Sequence, residues 1–153
     1  MQAIAAEVKT TIATFIVADE WKVIAGSNAD EFALRSAARP IEVNVLTQRA
    51  PKITERNLEA AASHLLQAAL ETHAQSARDR KLALLSVESN VSVGSHEAFG
   101  EFMGSDNTGR RFRQLVIARP GQILALYADS KILSHEELLT VISEIVRSIK
   151  NEP

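Results

Sequence analysis

The period of the hydrophobic residues changes three times along this chain of 153 residues, and no other feature constrains its fold as much. In the middle of the chain, apolar residues recur at alternating spacings of three and one, which places them on one stripe of a helix. We predict a helix over about residues 55–76, capped by Thr54. Its stripe consists of Leu58, Ala61, Ala62, Leu65, Leu66, Ala69 and Leu70.

Before this helix the apolar residues alternate with polar ones, which is the period of a half-buried strand. The segment TFIVADEWKVIAG predicts two short strands joined by a turn. EFALRS and IEVNVLTQ predict two more strands. We expect residues 1–13 to form either a loosely ordered lead-in or a first edge strand.

After the helix the alternation returns in several segments separated by turn residues. LALLSVES and SVGSHEAFGEFMGS predict strands on either side of a turn at Ser89-Asn90. The segment DNTG predicts a hairpin turn, because Asn and Gly accept a positive φ. The strand RRFRQLVIAR then leads through Pro120-Gly121, the central pair of a type II turn, into the strand QILALYAD.

The last segment carries the signature of a helix start. Ser134 is followed three residues later by Glu137, which forms a capping box, and a new apolar stripe continues to about Lys150. Strands joined by short turns pair antiparallel, and each amphipathic helix must lay its stripe on the sheet. We therefore predict one α+β domain, residues 1–153, in which helices cover an antiparallel sheet. The order is strands, long helix, strands, C-terminal helix.

The composition excludes several classes of protein. A net charge of −2 lacks the basic excess of dedicated nucleic-acid binders. The absence of cysteine excludes disulfides, thiolate metal sites and cysteine nucleophiles. The apolar run IATFIVA is too short for a signal peptide, and no stretch approaches the roughly 20 apolar residues of a membrane span. We expect a cytoplasmic protein that binds no nucleic acid and does not span a membrane.

The residues that carry chemistry in enzymes do not combine into a catalytic set. His64 and His73 are nine residues apart on the predicted helix, so they point in opposite directions and cannot share a metal. His96 and His135 stand alone. No histidine is placed to activate an adjacent serine, because adjacent side chains diverge along both helices and strands. We expect no enzyme activity, no metal and no cofactor.

The candidate binding residues are Arg111 and Arg113, which flank Phe112 at the start of a predicted strand. Because side chains alternate between faces, the two arginines share one face and Phe112 lies on the other. That separation argues against an arginine–aromatic platform for nucleic-acid bases. Two interpretations stay open: a solvated charged face, or a site for an anion or acidic partner, since guanidinium groups bind carboxylates bidentately. We expect that replacing both arginines with alanine leaves the thermal stability nearly unchanged.

The order and pattern of four stretches resemble the PsbP-like superfamily, in particular the bacterial DcrB-like domain. Adaptor chaperones of type VI secretion belong to the same superfamily, and the Ran-binding Mog protein shares its fold. The resemblance implies a helix–sheet–helix sandwich without an active site, used as a binding module. The stretches, which together cover most of residues 14–150, are FIVADEWKVI, IEVNVLTQRAPKITERNLEAAASHLL, VGSHEAFGEFMGSDNTGRRFRQLVIARPGQILALYAD and LLTVISEIVRSIK.

The leading hypothesis is therefore a non-catalytic bacterial protein-binding module, an adaptor or chaperone of a secretion-linked protein. The alternative is an immunity protein that neutralises a toxin, since such proteins are also small, cysteine-poor and mildly acidic. A third hypothesis is a small-ligand binder or enzyme that uses the sheet face near Arg111, Arg113 and Glu42. The expected partner is another protein, and a homodimer stays open because an exposed apolar sheet edge or face can pair with its copy.

Overall fold

The structure, a computed structural model, describes residues 6–150. Within this range ten strands and two helices follow one another. Of the predicted lead-in, residues 1–5 lie outside the described residues, and the first strand is an edge strand. The elements are β1 (Ala6–Lys9), β2 (Thr14–Val17), β3 (Trp21–Ala25), β4 (Glu31–Ser36), β5 (Glu42–Ala50), α1 (Leu58–Asp79), β6 (Leu84–Val93), β7 (Ala98–Asp106), β8 (Arg111–Arg119), β9 (Gly121–Ser130), α2 (His135–Arg147) and β10 (Ile149–Lys150).

The strands form two antiparallel sheets. The large sheet has seven strands in the order β3-β4-β5-β9-β8-β7-β6, and the small sheet has three in the order β1-β2-β10. Helix α1 packs on one face of the large sheet, over β6, β7 and β8, whereas α2 and the small sheet cover the opposite face. The predicted α+β class, with helices on an antiparallel sheet, is confirmed.

The packing of α1 on the sheet depends on a glycine. A Cβ atom on Gly100 of β7 would lie 2.9 Å from Cβ of Leu66 and 2.9 Å from Cγ2 of Val116, so a side chain there would push the helix away. Leu58, Ala62 and Leu66 are buried in this contact, which confirms that the predicted stripe is the inner face of the helix.

The largest core cluster lies on the opposite face, between the large sheet, α2 and the small sheet. Ile117 and Leu126 from the large sheet, Ile142 from α2 and Phe15 from β2 are at most 1% exposed. The capping box that starts α2 is confirmed. The Glu137 N–H donates to Ser134 Oγ at 3.2 Å, and the Ser134 N–H donates to Glu137 Oε1 at 3.1 Å.

Two predicted turns of the large sheet are also confirmed. The residues of the DNTG segment connect β7 to β8, and Gly109 supplies a φ of +86°. Gly121 has a φ of +75°, which the third position of a type II turn requires and which a side chain would disfavour. These turns set the register of β7, β8 and β9, and thereby decide which side chains share a face.

Some predicted boundaries are wrong, for identifiable reasons. Helix α1 begins at Leu58, because Asn57 occupies the N-cap position and its Oδ1 accepts a hydrogen bond from the backbone of Thr54. Helix α2 ends at Arg147, because the next residues pair with β2 as a short strand. No turn occurs at Ser89-Asn90, where β6 continues along the sheet edge.

Candidate functional site

Helix α1 covers only half of its face of the sheet. The uncovered half consists of the side chains that β3, β4, β5 and β9 direct towards the α1 side, and we call it the open face. In residues 6–150 no helix packs over it. One row of directly opposed residues crosses from the open face to the covered half, and its order is Ile24, Ala33, Asn44, Tyr127, Gln114 and Phe102.

The centre of the open face is a shallow groove of about 390 Å³. Its walls are largely apolar, and they include Ile24, Leu46 and Ala125. Two side-chain amides, those of Asn44 and Gln114, also line it. Apolar walls with a few polar groups are typical of binding sites in this size range.

A second recess, of about 630 Å³, lies between the flank of α1 and strand β9. It shares Gln114 and Tyr127 with the first groove, so the two recesses adjoin each other beside the helix. The helix presents small side chains to it, at Ala68, Thr72 and Ser76. These recur at intervals of four residues and therefore lie above one another on one side of α1.

At the inner end of this recess a histidine lies among aromatic rings. The ring of His73 is 4.1 Å from that of Phe112, 5.4 Å from that of Phe102 and 5.8 Å from that of Tyr127. Burial lowers the pKa of His73, and the positive charge of Arg80 lowers it further. The imidazole is therefore neutral at pH 7, and the recess has an uncharged aromatic wall.

The polar end of the recess is lined by Tyr127, Asp129 and Arg80. Burial raises the pKa of Tyr127, and the charge of Asp129 together with a hydrogen bond to it raises that pKa further. The phenol is thus a neutral donor rather than a nucleophile. Asp129 Oδ1 is also 2.7 Å from Nη1 of Arg110. Asp129 and Arg110 balance each other's charge, so this end of the recess presents a neutral phenol beside an ion pair.

The predicted binding residues Arg111 and Arg113 lie on the opposite face, next to the start of α2. Arg111 Nη1 donates to the carbonyl of Leu133 at 3.1 Å, and Arg113 Nη1 donates to that of His135 at 3.3 Å. Arg113 Nη2 also lies 2.6 Å from Glu101 Oε1, and its side chain is only 11% exposed. The two arginines share a face, as predicted, but their hydrogen bonds hold the chain before α2 against β8.

These contacts reverse one expectation from the sequence. Since the arginines anchor the start of α2, we now expect their replacement to lower the stability. The structure also separates them from Glu42, which is opposed to Asp129 and thereby belongs to the same face as Phe112. A binding role for Arg111 and Arg113 stays a prediction.

The four histidines are not brought together. His96 pairs with Glu55 near the surface, and His135 lies in the first turn of α2, where burial lowers its pKa and the charges of Arg111 and Arg113 lower it further. Within residues 6–150 no three His, Asp or Glu side chains are grouped to hold a metal ion. No helix in the same range is long and apolar enough to cross a membrane.

Comparisons with known proteins by sequence gave no match, either to a protein-family model or to a curated protein. By structure the chain is similar to the solution structure of cyanobacterial PsbP (CyanoP) from Synechocystis. The TM-score is 0.65, the sequence identity is 11%, and the superposition covers 99% of this chain and 95% of that one. The chain has a PsbP-like fold. The resemblance seen in the sequence is confirmed at this level, and an identity this low shows the fold alone.

Within this PsbP-like fold the groove residues were missed by sequence reasoning. Asn44, Gln114 and Tyr127 occur in strands that were predicted, and alternation alone assigns each of them to a face. What the sequence lacks is a local signal for how far α1 extends over the sheet. That depends on the strand order, in which β9 lies between β5 and β8.

Proposed function

We propose that this protein is a non-catalytic protein-binding module whose groove beside α1 holds an apolar helical segment of a partner protein. The observation that carries the proposal is the largely apolar groove in the half of the sheet face that α1 leaves uncovered. Amphipathic sheets bury such faces against helices. A helix supplied by a partner would complete the layer that α1 begins.

The dimensions of the groove support a helix as its occupant. Helix α1 lies over β7, and neighbouring helices pack about 8–10 Å apart. Two strand spacings, about 10 Å, separate β7 from β9. A second helix beside α1 would therefore lie over β9, above Ala125 and Tyr127. Small side chains on the flank of α1, such as Thr72 and Ser76, allow this approach.

This function corresponds to the adaptor or chaperone role that the DcrB-like resemblance implies. A chaperone that shields an apolar segment needs an apolar groove with hydrogen-bonding groups at its margin, and Asn44, Gln114 and Tyr127 supply those groups. We propose a secretion-linked partner, a bacterial source and a cytoplasmic location with it. The alternative of an immunity protein stays a prediction, and a toxin gene adjacent to the gene for this chain would favour it.

Photo-crosslinking tests the proposal at the groove itself. A photoreactive residue placed at Leu46 or Gln114, in the groove, is compared with one at Leu139, which lies on α2 and is 37% exposed. In the native host we expect crosslinks from the groove positions to map to an apolar helical segment of one protein. Equal crosslinking from Leu139, or products confined to polar loops, would contradict the proposal.

A matched pair of charge variants gives an independent test. Leu46→Glu places a carboxylate in the groove, and Leu139→Glu places one on the outer side of α2. Co-purification with the partner that crosslinking identifies should be lost in the first variant and retained in the second. Thermal melting of both proteins shows whether a loss of binding comes from unfolding.

A further inference from the structure

Among residues 6–150 the large sheet ends at β6, in an edge that lacks the usual protection against pairing. The strand is ten residues long and contains no Lys, Arg or Pro, and Glu88 is its one charged residue. The edge at the other end, β3, is five residues long and carries Lys22. Natural proteins protect free edges by short length, charge, proline or bulges. A bulge at Ser86–Val87 affects only one end of β6.

The hydrogen-bonding direction of β6 follows from the hairpin that joins it to β7. The Gly94 N–H donates to the carbonyl of Glu97 at 2.7 Å, so this pair is hydrogen-bonded across the hairpin. Hydrogen-bonded and non-hydrogen-bonded pairs alternate along an antiparallel ladder. Ser89, Val91 and Val93 therefore direct their N–H and C=O groups away from β7, towards the free edge.

Apolar side chains along the β6 edge are suited to burial. Val93 is 56% exposed and Val87 is 40% exposed, whereas large apolar side chains in strands are usually buried. Val91 contacts the apolar residues beneath α1 and extends that core to the edge. A strand added at this edge would continue the buried layer outward.

We propose that a second copy of this chain pairs with β6, antiparallel, about a two-fold axis through Val91. In this register Ser89 is opposite Val93 of the second copy, and Val91 is opposite Val91 of the second copy. All three outward-directed residues of each strand then form hydrogen-bonded pairs. Glu88 is opposite Gly94 of the second copy, so the one charge on each strand avoids its equivalent.

This self-complementarity is the reason for choosing a second copy over an extended segment of another protein. A two-fold pairing uses the same residues on both sides, and it joins the two free β6 edges without creating another. The α1 helices of the two copies would also not collide. With α1 over β7, the axes of the two α1 helices would be about 14 Å apart, which exceeds the 8–10 Å of close helix packing.

Disulfide trapping tests the register, because the chain has no cysteine of its own. Ser89→Cys and Val93→Cys are made as separate variants, mixed under reducing conditions and then oxidised. In the proposed register their Cα atoms are about 5.5 Å apart, within disulfide range. In either variant alone the equivalent cysteines are about 13 Å apart. We expect a crosslinked dimer from the mixture and little from each variant alone.

Two substitutions test whether the edge drives the association. Val93→Lys adds charge, and Ser89→Pro removes an N–H that β7 does not use, so both should leave the β6–β7 ladder intact. In sedimentation equilibrium we expect either change to raise the dimer dissociation constant by about tenfold or more. Melting curves of both variants identify any loss of folding, and Val93→Lys serves alone if Ser89→Pro unfolds.

The proposal has outcomes that overturn it. A wild-type chain that remains monomeric up to the highest soluble concentration has no such interface. A dimer that crosslinks equally well through Ser89→Cys alone uses another register or another surface. If Val93→Lys leaves the dissociation constant of the dimer unchanged, the dimer forms through a surface other than the β6 edge. None of these results depends on whether the groove beside α1 binds a partner.

Discussion

The two halves of the sheet face on the α1 side belong to one continuous seven-stranded sheet, yet they differ in how closely their side chains are packed. The covered half contains Gly100, Phe102 and Phe112, where the helix leaves no space for an added Cβ at Gly100. The open half contains Asn44 and Leu46 around a groove of about 390 Å³. Tight packing is therefore found in the half beneath α1, whereas the open half is accessible.

The largest expected difference between the halves is at Phe112, which is 2% exposed and contacts the rings of Phe102 and His73. Phe112→Ala should lower the free energy of unfolding by about 3–5 kcal/mol, because it leaves a cavity beneath α1. Urea denaturation measures the change. Leu46→Ala on the open half is the control, and an equal loss there would show that the open half is packed as tightly.

A smaller loss is expected from adding a single methyl group to the covered half. Gly100→Ala should lower the free energy of unfolding by about 1–3 kcal/mol, because its Cβ would overlap Leu66 and Val116. Asn44→Ala, in the open half, should change it by about 0.5 kcal/mol or less. If Gly100→Ala were neutral by urea denaturation, α1 would have to shift easily on the sheet.

The comparison extends to arginines on the two faces. Arg113 is 11% exposed and bonds to Glu101 and to the carbonyl of His135, so Arg113→Ala should cost about 2 kcal/mol. Arg35 pairs with Glu42 on the open half, where its side chain is 60% exposed, and Arg35→Ala should cost about 0.5 kcal/mol. Thermal and urea melts that ranked Arg35→Ala as the more damaging would show that the anchor of α2 is not Arg113.

The smallest expected effect is a dependence on pH at the boundary between the halves. The pKa of His73 in the folded chain is lowered below its ordinary value of 6.5, so near that pH the unfolded chain binds more protons. Stability should therefore fall as the pH falls from just above 6.5 towards the folded pKa.

Comparing wild type with His73→Phe isolates this contribution from other titrating groups such as His135. As the pH is lowered through 6.5, the free energy of unfolding should fall more in wild type than in His73→Phe. A constant difference would mean that His73 is equally easy to protonate in the folded and unfolded chains. His96→Phe, at an exposed position, controls for the general effect of losing a histidine.

Much of the fold could be predicted because its signals are local. The stripe of α1, the capping box at Ser134 and the turn glycines Gly109 and Gly121 each act within a few residues. The false turn at Ser89-Asn90 arose from the same local reasoning, since polar turn-forming residues are tolerated on an exposed edge strand. Which strand is an edge depends on the whole sheet order, which no short segment encodes.

The candidate site depended on pairings that are distant in sequence. Alternation correctly placed Arg111 and Arg113 together, but their partners Leu133 and His135 come about twenty residues later in the chain. The groove arises where β5 meets β9, and this pairing joins residues from before and after α1. No local pattern showed that α1 would stop short of these strands.

The strand order of the small sheet affects when this sheet can form as the chain is synthesised. Strand β2 lies between β1 and β10, so its two neighbours come from opposite ends of the described chain. The pair formed by Ile149 with Phe15 can close only after all the residues between them have left the ribosome. Contacts between residues distant in sequence form slowly. Strand β2 therefore lacks its pairing with β10 until late in folding. During that interval Phe15, which is fully buried in the folded chain, lacks its neighbour on β10.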